Sequence, residues 1–232
     1  MKTRIGIVSI LWTLTFILTS MNTVAAQDAP TEKEVAGYTG LLDAAARGDA
    51  LQIKTLVDEG HAPDIRDGHG RTPLHVAAFR SHHGAMRALV EAGADPNALE
   101  NDRYDIVTIA AVADDIPTLK AALSLGGSAK NITSRWDGTA LIAAAHLGHA
   151  EVVRILIEAG APLDHVNNLG WTAVIESIVL GNGGPRHVET LRALVAAGAD
   201  ITIPDRDGQT PISLAKLRGY DEMVSILQKA VR

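Results

Sequence analysis

The chain has 232 residues, no cysteine, 3% aromatic residues and a formal net charge of −6. Without cysteine there are no disulfides, no thiolate metal sites and no thiol nucleophile. The acidic balance argues against nucleic acid and against anionic lipid as partners.

Residues 1–26 differ in character from the rest of the chain. Lys2 and Arg4 make a basic start, Ile5 to Leu18 is apolar, and Val24-Ala25-Ala26 puts small residues at a cleavage position. This predicts a secretory signal peptide cut after Ala26, and a periplasmic or secreted protein. The apolar run is 14 residues, short for a bilayer span, so no stable membrane insertion is expected after cleavage. Cutting removes two basic residues and no acidic one, which takes the net charge from −6 to −8. Residues 27–37 are polar and contain Pro30, and are expected to form a disordered lead-in.

From residue 38 the chain is periodic. Thr39, Thr72, Asp105, Thr139, Thr172 and Thr210 recur at spacings of 33, 33, 34, 33 and 38. Each stands before a helical pattern, and Thr and Asp side chains both cap helix N-termini. Alanine pairs follow at Ala44-Ala45, Ala77-Ala78, Ala110-Ala111 and Ala144-Ala145, which keep one helix face thin for a neighbour. A second helical pattern ends at Gly60, Gly93, Gly126, Gly160 and Gly198, where glycine can take the left-handed conformation. The units run over 38–66, 67–99, 100–133, 134–166, 167–204 and 205–232. The first and last carry extra polar groups, as terminal caps of a stack must. The fifth is five residues longer than the usual 33. The surplus falls in Gly181-Asn182-Gly183-Gly184-Pro185-Arg186, whose breakers predict a loop rather than a longer helix.

The stretch Thr72-Pro73-Leu74-His75-Val76-Ala77-Ala78, with its exit Gly93-Ala94-Asp95, resembles the ankyrin repeat. The resemblance implies an all-α solenoid of about six helix-turn-helix repeats, each with a short β-turn finger. It also implies that partners dock on the finger tips and on the groove lined by the inner-helix ends, and that His75 bonds to backbone between repeats.

No phosphate loop, Gly-x-Ser-x-Gly elbow or His-Glu-x-x-His pair occurs, so no catalytic residue is assigned. The histidines follow the repeat frame. His82, His149 and His187 all start a second helix, and no metal or other cofactor is expected. Glu176 occupies a slot that holds Val76, Ile109, Ala143 and Leu214 in other repeats, and is expected to point into the groove and stay solvated. Tyr104, Trp136 and Trp171 lie in the fingers of three consecutive repeats, where their rings are expected to be exposed. The inner-helix ends add Phe79 and Arg80, His146 and Leu147, and Val179 and Leu180. With Leu169 in a finger and Arg186 in the insertion, these form the expected partner-binding surface. The resulting expectation is a monomeric, non-catalytic module that binds another exported protein. A glycan or small-molecule binder of the cell envelope is the alternative, since tryptophan rings stack on sugars. A hydrolase built on Glu176 and nearby histidines is the third reading.

Overall fold

The computed structural model describes residues 27–230, so the expected signal peptide lies outside the described residues. Its helices are α1 (Glu32–Gly37), α2 (Gly40–Arg47), α3 (Ala50–Asp58), α4 (Pro73–Phe79), α5 (His83–Glu91), α6 (Ile106–Val112) and α7 (Ile116–Ser124). They continue as α8 (Ala140–Leu147), α9 (Ala150–Glu158), α10 (Ala173–Val179), α11 (Pro185–Ala196), α12 (Pro211–Leu217) and α13 (Asp221–Ala230). No strand forms among the described residues; Thr133 and Gly138 make one isolated bridge.

The even-numbered helices from α2 to α12 pack in one row and the odd-numbered ones from α3 to α13 in a second. Each helix meets only its own partner and its neighbours, so the fold is an all-α solenoid of helix pairs. The expected caps set the inner helices. Thr72, Asp105, Thr139, Thr172 and Thr210 each accept the backbone N–H three residues on. Thr39 makes no such bond. Between the rows the alanine pairs are fully buried beside Leu41, Met86, Leu119, Leu156 and Leu191, which form one continuous core.

Histidines tie repeat to repeat. His82 Nε2 donates to Ala46 O at 3.1 Å, His149 Nδ1 to Ala111 O at 3.0 Å and His187 Nε2 to His146 O at 2.8 Å. In each case the ring satisfies a carbonyl left open at the end of the preceding inner helix. Adjacent fingers are joined by backbone bonds: Asn101 N to His69 O, Ser134 N to Arg103 O and Asn168 N to Trp136 O, at 2.9–3.0 Å.

Two expectations about the chain's organisation are corrected. The segment 27–37 is not disordered: Thr31 and Glu34 form a capping box for α1. The cause lies far along the chain, in Arg71. Its guanidinium, 1% exposed, donates to Asp28 O at 2.9 Å, to Glu34 Oε1 at 2.7 Å and to Asp67 Oδ2 at 2.7 Å. Bonds from the Thr31 hydroxyl, from the Thr31 N–H and from Arg71 lower the Glu34 carboxyl to about 2. The insertion is also not only a loop. Helix α11 has 12 residues against 9 in α3, α5, α7 and α9, so part of the surplus lengthens the outer helix. Pro185 permits this because it stands at the start of the helix, where its missing N–H would have no partner.

Candidate functional site

The helix periodicity puts Thr108 and Val112 of α6, Ala143 and Leu147 of α8, and Glu176 of α10 with Leu180 at its end on one side of the inner row. The fingers of the same three repeats stand over them. Together they enclose a cleft of about 420 Å³, walled by Tyr104, Trp136, Leu169 and Trp171. Its size falls within the range of small-ligand pockets. His146 and Asn167 reach its floor.

The cleft gathers Tyr104, Trp136, His146, Leu147, Leu169, Trp171 and Leu180 from the expected surface. It does not gather the other four residues. Phe79 and Arg80 end α4, where Arg80 pairs with Glu32 at 3.1 Å beneath the N-terminal segment. Val179 is packed against the core and its carbonyl accepts from Arg218 at 3.2 Å. Arg186 lies in α11, donating to Gly148 O at 3.3 Å and to Asp114 Oδ2 at 3.3 Å, on the outer-helix side of the stack.

The finger aromatics are not equally open. Trp136 is 43% exposed, but Trp171 is half-buried against the core and Tyr104 is 8% exposed. Tyr104 and Trp171 stand immediately before the capping residue. There the finger is closed by a side chain five residues before the cap. Glu100 Oε1 accepts the Tyr104 N–H at 2.9 Å, and Asn167 Oδ1 accepts the Trp171 N–H at 3.0 Å. Both rings turn inward, against the expectation that all three would be exposed.

Glu176 is likewise not solvated. It is 3% exposed, and Asn167 Nδ2 donates to its Oε1 at 2.9 Å. Its Oε2 is buried without a hydrogen-bond donor; His146 Nδ1 is at 3.4 Å but misaligned for a bond. Gln27, the residue after the expected cleavage point, also lines the cleft, and its Nε2 is buried without an acceptor. The repeat frame marks Glu176 as an anomaly but does not single out Asn167, Thr108 or Gln27. For Asn167 a signal existed: it recurs in register with Asp67, Glu100 and Asp205 as the residue five before the cap.

One carboxyl, the imidazoles of His146 and His149 and three aromatic rings line the cleft, and no group of His, Asp and Glu suited to hold a metal occurs among the described residues.

A family model described as ankyrin repeats in three copies matches residues 13–100 and 107–205. The ankyrin repeat protein YahD of Escherichia coli strain K12 is 30% identical over 185 residues, covering 79% of this chain and 92% of its own length. A crystal structure of an ankyrin repeat domain from Acinetobacter baumannii AYE is 41% identical with a TM-score of 0.77. That match covers 82% of this chain and 97% of the solved one. A further solved ankyrin repeat protein is 29% identical with a TM-score of 0.73, covering 83% and 98%.

Proposed function

The chain belongs to the ankyrin repeat family, and on that premise we propose that it is an exported, non-catalytic module that binds one protein partner in the cleft of its third to fifth repeats. The carrying observation is the cleft itself: an apolar hollow of about 420 Å³ walled by Tyr104, Trp136 and Trp171. Aromatic anchors ringed by apolar contacts are the residues that dominate binding energy at protein interfaces. The basic, apolar and small-residue pattern of residues 1–26 supports export. The net charge of −6 supports a partner with a basic face.

The test uses the purified chain as bait in an extract of exported proteins. Trp136→Ala removes the most open ring and is expected to weaken capture of a stoichiometric partner about thirtyfold, an anchor's ~2 kcal/mol. Its folding stability should move by less than ~0.5 kcal/mol, as for an exposed position. Leu156→Ala in the core serves as the opposite control, losing ~2–5 kcal/mol of stability with binding retained once folded. Capture that is indifferent to Trp136→Ala rejects the cleft. Retention on cell-wall polymer with no protein partner rejects the protein-binding reading in favour of a glycan.

A further inference from the structure

Glu176 is out of place in its repeat frame. Four of the five other inner helices carry Val76, Ile109, Ala143 and Leu214 at this slot, and the remaining one carries Asp43, which is half-buried and paired with Arg47 at 2.9 Å. Glu176 pairs with no lysine or arginine; His146 Nδ1 lies 3.4 Å from its Oε2, a counter-charge only when that ring is protonated, and donates no hydrogen bond to it. Its Oε1 is committed to Asn167, while its Oε2 is buried and accepts no hydrogen bond. No lysine or arginine lines the cleft. Burying a carboxylate oxygen without a donor is costly, so this position is unfavourable to the free protein unless something arrives to satisfy it. Among the described residues, two buried side-chain atoms lack a hydrogen-bond partner: Glu176 Oε2 and Gln27 Nε2, an acceptor and a nitrogen donor in the lining of one cleft.

We propose that the cleft is a cation subsite: it takes one lysine ammonium or arginine guanidinium from an extended segment of the partner, with Glu176 as counter-ion. The surroundings suit that group. Aromatic faces attract an organic cation through the negative face of the ring, and the attraction grows as water is excluded. Trp136, Trp171 and Tyr104 wall the cleft, and Leu147, Leu169 and Leu180 give a long aliphatic stem an apolar path. The net charge of −6 favours approach of a basic segment, and Glu176 supplies the local charge at the end of that path. This inference rests on the reading of the cleft as the partner site and names the chemistry it selects.

The experiment titrates the purified chain with capped pentapeptides, four glycines around a central lysine, arginine, norleucine or glutamate, and follows tryptophan fluorescence. The lysine or arginine peptide is expected to bind at least about tenfold more tightly than norleucine, one charge-assisted contact's worth of discrimination. In Glu176→Gln, which keeps an oxygen for Asn167 and removes the charge, that ratio should fall to near one. The melting temperature of the free Glu176→Gln protein should hold or rise. A merely structural carboxylate would give the reverse, a less stable variant with unchanged peptide preference, and that result overturns the proposal. So does equal binding of norleucine and lysine by the unaltered chain, or no binding of any peptide at millimolar concentration. If partner capture still depends on Trp136 in those cases, the interaction-module reading stands and only the cation is rejected.

Discussion

Acid should weaken this fold above pH 5, and the group responsible is His75. Its ring is 1% exposed, and burial lowers it to about 4 from an ordinary 6.5. The hydrogen bonds explain why a second proton is unwelcome. The Thr72 N–H donates to Nδ1 at 3.1 Å, and the Thr72 hydroxyl lies 2.8 Å from the same nitrogen. Nδ1 is therefore the acceptor and Nε2 carries the hydrogen, donating to Tyr104 O at 3.1 Å across the repeat boundary. Protonating Nδ1 would set N–H against N–H. Because the folded value is depressed, the unfolded chain takes up the proton first as pH falls below 6.5. Stability is then full above about 6.5 and drains until the folded ring titrates near 4. The whole loss is about 3 kcal/mol, of which about 2 kcal/mol is gone at pH 5. Glu34, with a folded value of about 2 against 4.5, behaves in the same direction, but its contribution is lost only below 4.5. The two windows are therefore separable. Urea unfolding at pH 7 and pH 5 measures the difference. His75→Asn keeps an oxygen to accept the Thr72 N–H but cannot titrate, and should cut the pH 7 to pH 5 loss by about 2 kcal/mol. An unaltered chain that is equally stable at both values, or a variant with the same pH loss, refutes the reasoning.

Further outcomes are expected. Arg71→Ala leaves the buried Asp67 with only the Tyr38 hydroxyl at 2.6 Å and backbone donors, and should cost about 3 kcal/mol, as breaking a buried ion pair does. Hydrogen exchange should then quicken in α1 and α2 but not in α10 to α13, because coupling in a solenoid passes between neighbours; uniform loss along the chain would contradict this. Gly181→Ala places a Cβ inside contact distance of the Ser177 carbonyl oxygen and 2.7 Å from His187 Cδ2. The His187 bond to His146 O and the Tyr220 bond to Gly181 O must strain, at about 1–3 kcal/mol by urea unfolding. A variant as stable as the parent would mean that the insertion shifts freely.

Much of the fold was legible because a repeat stack is built from local rules used again and again. The cap, the alanine pair, the exit glycine and the repeat-bridging histidines contact only their own or the adjacent unit, so a period near 33 residues writes each contact into the sequence several times. That is why Asp105 could be read as a substitute cap, and why its Oδ1 does accept the Thr108 N–H at 2.8 Å. The cleft was partly legible for the same reason, since slots in register on three repeats face the same way.

What the tertiary structure alone decided is the fate of groups whose partners break the period. The slot before the cap holds Tyr38, Arg71, Tyr104 and Trp171 in different repeats, and nothing local tells which side chains turn inward. Arg71 is buried because the segment from Asp28 to Glu34 folds back over it, across 37–43 residues of chain. Arg186 is drawn to Asp114, 72 residues away, because the insertion extended α11 instead of the groove edge. Glu176 was visible as an exception in its slot, but its partner Asn167 and the finger rings that wall the same cleft come from outside its helix. Periodicity fixes direction along a helix; whether a polar group there meets water, a partner or nothing is set by non-repeating neighbours, which only the assembled stack brings together.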